Sequence, residues 1–248
     1  MKTEMSGKSI IGDREYQQDA FYYDNDKGYA IVCDGMGGME NGDKASRYAV
    51  DYIRNYYQKN SITEFNIKYE LHNIADLING YVGHIRDESG NMYTAGTTLV
   101  SVYILDDKLF IMSIGDSRIY MIRNRKMFTL TREHNYKLKL DKYKKNGYLN
   151  TCNYENEIKR GKALISYLGM EKLELVDIND TPIKLKSDDI IILCSDGLYK
   201  SLSDVQILDI INENHRNMDV CVDRLVSMAC ECVNKKMDNT TVVGIRIC

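Results

Sequence analysis

Four times along this chain an aspartate stands at the end of an apolar, strand-like run, three of them beside glycine, and that recurrence limits what the chain can fold into. Asp34-Gly35 follows Ala30-Ile-Val-Cys33, Gly115-Asp116 follows Leu109-Phe-Ile-Met-Ser-Ile114, Asp196-Gly197 follows Ile190-Ile-Ile-Leu-Cys-Ser195, and Asp238 precedes the run Thr240 to Ile247. A buried strand fixes the residue at its end, so each carboxylate is held at the rim of a core, where the neighbouring glycine permits positive φ and close backbone approach. Taken singly, an Asp-Gly pair is an ordinary turn; four strand-linked examples argue for rims that meet. Two unit charges about 4 Å apart repel by roughly 4 kcal/mol at an effective dielectric near 20. Protonation or a bound cation must relieve that repulsion, and a donor set made of oxygens suits Mg²⁺, Mn²⁺ or Ca²⁺ better than zinc.

The remaining pattern is mixed α and β. Ala20 to Tyr23 and Gly28 to Asp34 flank the turn Asp24-Asn-Asp-Lys27 and predict a hairpin. Asp43 to Asn60 and Glu64 to Arg86 carry apolar residues at steps of three and four, the spacing of two helices covering one sheet face. Four strand-like runs follow, Thr97 to Leu105, Lys108 to Ile114, Arg118 to Arg123 and Lys126 to Leu130, with turns between them, which predicts an antiparallel meander. Arg132 to Arg160 is rich in lysine, asparagine and tyrosine and reads as a partly helical insertion. Strands return at Leu173 to Ile178 and Asp189 to Ser195, then helices near Asp204 to Glu213 and Met218 to Lys236, then the last strand. Two helix pairs among strands imply an α+β fold, a four-layer α-β-β-α sandwich of two mainly antiparallel sheets. The expectation is a single domain, 1–248, with a flap at about 132–170.

Composition narrows the function classes. With 36 acidic and 33 basic side chains the net charge is -3, so no global field draws the chain to nucleic acid or to an anionic membrane. The longest unbroken apolar run, about Ile190 to Cys194, is far short of a bilayer span, and Met1 to Ser9 lacks the apolar core of a secretory signal; both imply a cytoplasmic protein. The cysteines, 33, 152, 194, 221, 230, 232 and 248, form no CxxC pair and are expected to be reduced.

Three patterns imitate other sites. Gly35-Met-Gly-Gly-Met-Glu40 lies between strand and helix, but lacks the third glycine of a dinucleotide fingerprint and would set Asp34 beside the pyrophosphate. Asp24 to Gly28 has an EF-hand flavour without the distal glutamate, so a hairpin turn fits better. Lysines 137, 139, 142, 144 and 145 read as a solvated helix face.

The motifs Arg14-Glu-Tyr-Gln-Gln-Asp19, Asp34-Gly-Met-Gly-Gly38, Gly96-Thr-Thr98, Gly115-Asp-Ser-Arg118, Thr131-Arg-Glu-His134, Ser195-Asp-Gly-Leu198 and Asp238-Asn-Thr-Thr241 run in order nearly end to end. In this the chain resembles the protein phosphatase 2C family, the metal-dependent serine/threonine phosphatases, and especially its compact bacterial branch. The resemblance implies that Asp34 bridges two Mn²⁺ or Mg²⁺ ions, with the Gly35 carbonyl on one and Asp196 and Asp238 on the other. It implies a third, weaker ion at Asp116 and Asp196, water-orienting roles for Gln18 and Asp19, and a phosphate-binding role for Arg14, whose guanidinium fork suits phosphate oxygens. Water bridging two cations would serve as hydroxide near neutral pH, with no protein nucleophile. Met36 stands where some members place a general-acid histidine, as in the bacterial branch. Gln17, and Ala163 to Gly169 without the asparagine and arginine commonly found there, depart from the family pattern and bear on substrate choice.

The expected activity is hydrolysis of phosphoserine and phosphothreonine in proteins, the substrates of a serine/threonine kinase, by a monomer with no nucleic-acid or membrane partner. A catalytically idle phosphoprotein-binding or sensing relative of the same fold is the alternative; such relatives usually lose metal aspartates. A phosphatase of small phosphorylated metabolites would share the site and differ in the flap.

Overall fold

Apolar runs without polar interruption predict strands buried on both faces, and the central strands of this chain are sandwiched in that way. The computed structural model describes residues 1–37, 41–86, 95–231 and 236–248. In chain order the elements are β1 (Thr3–Ile10), β2 (Asp19–Asp24), β3 (Tyr29–Gly37), α1 (Asn41–Lys59), α2 (Ile67–Gly83), β4 (Ala95–Thr97), β5 (Leu99–Leu105), β6 (Lys108–Ile114), β7 (Arg118–Arg123) and β8 (Lys126–Thr129). They continue with α3 (Tyr136–Lys145), α4 (Thr151–Glu157), a 3₁₀ turn (Ile158–Arg160), β9 (Asp177–Ile178), β10 (Ile183–Lys184), β11 (Ile190–Cys194), α5 (Asp196–Ser201), α6 (Asp204–Asn214), α7 (Met218–Glu231) and β12 (Thr240–Ile247). One sheet has the order β1-β12-β11-β7-β8; the other has β10-β6-β5-β3-β2, with β4 on β3 and β9 on β6. All these pairings are antiparallel.

The period of two along each strand sorts side chains into three cores. Tyr29, Ile31 and Cys33 of β3 pack with α1 and α2, through Ala49, Ile53, Ile74 and Ile78, while Ala30 and Val32 face the other sheet. On β11, Ile191 and Leu193 face that same inter-sheet layer, while Ile190, Ile192 and Cys194 pack under α5, α6 and α7. The result is the four-layer α-β-β-α sandwich. Each fully buried Ile, Leu or Val contributes about 1.5–3 kcal/mol, so a core on both sides of each sheet holds the strand ends in place.

Two expectations need correction. The four runs from residue 97 to 130 are not one meander: β5 and β6 pair in the seven-stranded sheet, whereas β7 and β8 belong to the other. The chain changes sheet at Gly115, whose φ of 101° turns the backbone where a Cβ would lie 2.7 Å from Thr98 Cγ2. The strand expected over Leu173 to Ile178 is reduced to β9, its last two residues. β1, β10 and α5 were not anticipated at all. The helix expected to reach Lys236 is described to Glu231; 232–235, with Cys232, lie outside the described residues, as do Gly38, Met39 and Glu40 of the glycine-rich stretch.

The insertion is helical, as expected, with Asn135 and Asn150 capping α3 and α4 through backbone N–H groups of Leu138 and Asn153. The chain rejoins the sandwich where Leu168 and Thr97 exchange backbone hydrogen bonds of 3.1 and 2.9 Å. Lys139 pairs with Glu174 and Lys137 with Asp141, in keeping with a solvated face. The turn before β3 is a hairpin turn: Asp24 Oδ1 accepts from the N–H groups of Asp26 and Lys27, and Gly28 closes it at φ 72°. Cysteines 33, 194, 221, 230 and 248 are free thiols.

Candidate metal centre

Antiparallel pairing sets Asp19, the first residue of β2, directly opposite Asp34 on β3. Like charges across a strand pair destabilise it, so this register asks for a compensating group. Asp19 is buried, and its Oδ2 accepts 2.7 Å hydrogen bonds from both Ser195 Oγ and Thr241 Oγ1, while its Oδ1 has no partner. Burial, then the charges of Asp196 and Asp238, push its pKa up to about 6 against the two hydroxyl bonds. Asp34 is pushed well above the carboxylate range by burial and by Asp19, Asp196, Asp116 and Asp238. Asp116 is raised to about 6 by burial and Asp196, and Asp196 is raised by burial with Asp238 adding to it and Lys200 opposing it. Asp34 therefore lies within the fields of the other four expected carboxylates, and the five sit by the ends of β3, β6, β11 and β12 and the start of β2.

The backbone is built for close approach. Gly35 donates to Gln18 O at 3.0 Å, and a Cβ there would fall 2.1 Å from Gly42 O, so the residue after Asp34 must be glycine. Asp34 is tied on both sides: Thr98 Oγ1 accepts from its N–H at 3.0 Å, and its carbonyl accepts from Thr98 N–H at 2.9 Å. His134 accepts from Gly115 N–H through Nδ1 at 3.3 Å and lies 3.2 Å from Asp177, so it braces the sheet crossing; burial lowers its pKa.

Two cations stand against the cluster. Arg14 Nη2 donates to Asp238 Oδ2 at 2.7 Å while most of its side chain stays exposed, and the guanidinium also feels Asp196 and Asp34. Lys200, one helical turn beyond Asp196 on α5, pairs with Asp196 Oδ2. Among the described residues no three carboxylate, histidine or thiol groups form a ready-made metal site. The residues nonetheless fit hard divalent cations: the donors are oxygens, their charges raise one another's pKa, one carboxylate oxygen is buried without a partner, and two acids hold a cationic side chain.

Sequence reasoning brought Arg14, Gln18, Asp19, Asp34, Gly35, Asp116, Asp196 and Asp238 together, but missed four contributors. Lys200 was visible as an i,i+4 partner of Asp196 only if α5 is recognised as a helix. Ser195 and Thr241, both fully buried, lie in the quoted motifs but acquire their role as Asp19 donors only when β11 and β12 pair. Asn239 is the fourth: its Oδ1 accepts from Gln18 N–H at 2.8 Å, and its Nδ2 donates to Ile11 O and Tyr16 O.

The sequence matches the family model for protein phosphatase 2C over residues 6–237. The serine/threonine phosphatase stp of Listeria welshimeri is 26% identical over 201 residues, 80% of this chain and 77% of that one. Among solved structures, the Streptococcus agalactiae serine/threonine phosphatase superposes with a TM-score of 0.82 at 23% identity, covering 99% of each chain. The catalytic domain of the serine/threonine phosphatase PstP in complex with two manganese ions superposes with a TM-score of 0.74 at 22% identity, over 98% of this chain and 97% of that one.

Proposed function

The chain belongs to the protein phosphatase 2C family, and from that premise we propose that it is a metal-dependent phosphatase of phosphoserine and phosphothreonine in proteins. The observation that carries this reading is geometric: Asp19 faces Asp34 across the β2–β3 pair with one oxygen buried and unpartnered, and Asp116 and Asp196 add their charge to the same rim, where burial first and neighbouring carboxylates second raise the pKa of all four. In this reading Asp34, the Gly35 carbonyl, Asp196 and Asp238 hold two Mn²⁺ or Mg²⁺ ions, and Asp116 with Asp196 holds a third, weaker one. When bound, such ions supply Lewis acidity that lowers the pKa of water and offsets charge on the phosphoryl group.

The chain's own residues do the rest. Arg14 reaches the carboxylates from solvent and can present its guanidinium fork to a phosphate dianion, exchanging one anionic partner for another. Asp19, fixed by Ser195 and Thr241, keeps one acceptor oxygen for an ordered water, and Gln18 is held beside it by Asn239. A thiol nucleophile has no place in this: burial raises the Cys33 thiol and pushes Cys194 up to about 12, leaving both protonated. We place the enzyme in the cytoplasm as a single-domain monomer, 1–248, with the 132–170 segment as its flap, opposing a serine/threonine kinase. No helix among the described residues is long and apolar enough to cross a membrane.

Purified protein should release phosphate from a phosphothreonine peptide with Mn²⁺, and lose that activity with chelator or on Asp34→Asn. Robust turnover by Asp34→Asn would sink the assignment. A panel of phosphorylated metabolites run beside the peptide separates protein from metabolite substrates.

A further inference from the structure

The strands that carry Asp116 and Asp196 at one end carry a second charged feature at the other. β7, β11 and β12 lie side by side, and their ends away from the carboxylates, at Arg123, Ile190 and Arg246, line a cleft of ≈ 630 Å³. The strand length from Ile190 to Asp196, on the order of 20 Å at about 3.3 Å per residue, separates the two.

The cleft is cationic. Arg123 is neutralised by a bidentate pair with the buried Asp189, at 2.8 and 2.5 Å, and Arg246 by Glu4 at 3.0 Å. These pairs make a fixed wall. Arg125, Lys186 and Arg216 line the same cleft, are exposed, and make no ion pair among the described residues. Against these three the cleft lining sets one acid, Asp188, that makes no ion pair among the described residues.

The backbone that presents them is unusual. Four non-glycine residues among those described have positive φ, and three of them, Asn124 (53°), Arg125 (60°) and Asp188 (66°), line this cleft. The β7–β8 turn needs positive φ at both central positions, where Asn-Gly is the easy solution. An arginine there accepts a conformation that L side chains disfavour and aims a cation at the cleft mouth. Backbone of this kind concentrates at binding sites.

We propose that this cleft is an anion site, distinct from the carboxylate centre, that takes a small polyphosphate-bearing ligand of nucleotide size. The volume lies within the range of about 300–1,000 Å³ typical of small-molecule sites and is too small for a folded partner. Convergent guanidinium and ammonium groups match phosphate oxygens, and Asn212 offers an amide for a neutral part of the ligand.

Calorimetry in EDTA, with inorganic tripolyphosphate and separately a non-hydrolysable ATP analogue as probes, should show one saturable site per chain. Arg125→Ala/Arg216→Ala should weaken both probes at least tenfold and flatten the salt dependence, while Mn²⁺-dependent hydrolysis of p-nitrophenyl phosphate stays unchanged. Arg14→Ala, at the opposite end, should leave binding intact. Tighter binding of the analogue than of tripolyphosphate identifies a nucleotide; equal affinity identifies the polyphosphate chain alone. No saturable binding, or binding that survives the double variant and disappears with Arg14→Ala, overturns the proposal. Lys186→Ala repeats the test on a separate loop should the double variant fold poorly.

Discussion

Lys200 holds a carboxylate that the metal reading needs, so its ammonium and a divalent ion compete for Asp196. The lysine side chain is 47% exposed, which limits the pair to about 1 kcal/mol. Lys200→Met keeps the methylene stem and removes the charge. It should tighten Mn²⁺ binding about fivefold, the equivalent of that energy, and calorimetric titration of the metal-free protein is the check; an unchanged isotherm would show that the pair does not compete. At this scale the sequence was most legible where a residue's role depends on its own strand. Asp34, Asp116, Asp196 and Asp238 announce themselves because apolar runs fix them. Ser195, Thr241 and Asn239 do not, since a short polar side chain has no readable role until a strand distant in sequence arrives beside it.

Asn239 shows how one side chain can position an element. The loop before β2, which carries Arg14, is clamped by its amide through Gln18 N–H, Ile11 O and Tyr16 O, and Asn239 itself is buried. Asn239→Ala strands these backbone groups at a cost of about 1–3 kcal/mol for each that water fails to reach. Stability to denaturant should fall by roughly 3 kcal/mol, and KM for a phosphopeptide should rise more than kcat falls, because Arg14 loses its footing while the carboxylates keep theirs. Proportionate loss in kcat with KM constant would instead place Asn239 in the chemical step. Element bounds were legible where hydrophobic period alone sets them: β6, β7 and β12 begin and end where the pattern does. Sheet membership was not, because β7 leaves β6 for β11, 68 or more residues on, and that choice rests on Gly115 and long-range pairing. β1 was missed for another reason: Thr3-Glu-Met-Ser-Gly-Lys-Ser-Ile10 is polar, and its burial comes from pairing with β12 along its whole length.

For the molecule as a whole, the raised carboxylates make stability depend on pH in an unusual direction. Asp19 and Asp116 sit at about 6, and Asp34 and Asp196 are also raised. Between about 4, where these groups ionise in the unfolded chain, and the folded values, the native state holds protons that unfolding releases. Raising pH through this window therefore destabilises the metal-free fold, by roughly 3 kcal/mol for a group such as Asp116 that is displaced by about two units. Asp141 and Asp177, whose pKa values are lowered, are ionised in both states above pH 5 and contribute no slope there. His134, kept neutral by burial, opposes the trend below its ordinary value, one group against four. Urea midpoints of chelated protein should thus fall from pH 5 to 7. Saturating Mn²⁺ should reverse that slope, since the ions bind the deprotonated carboxylates and their affinity rises with pH. Asp34→Asn should flatten the chelated slope by removing the most displaced charge. A flat profile in the chelated wild-type protein would mean that the acids are not gathered as described. The net charge of -3 conceals this: the near balance of 36 acids and 33 bases holds for the chain, while Asp19, Asp34, Asp116 and Asp196 crowd one rim and keep their protons to higher pH than free carboxylates.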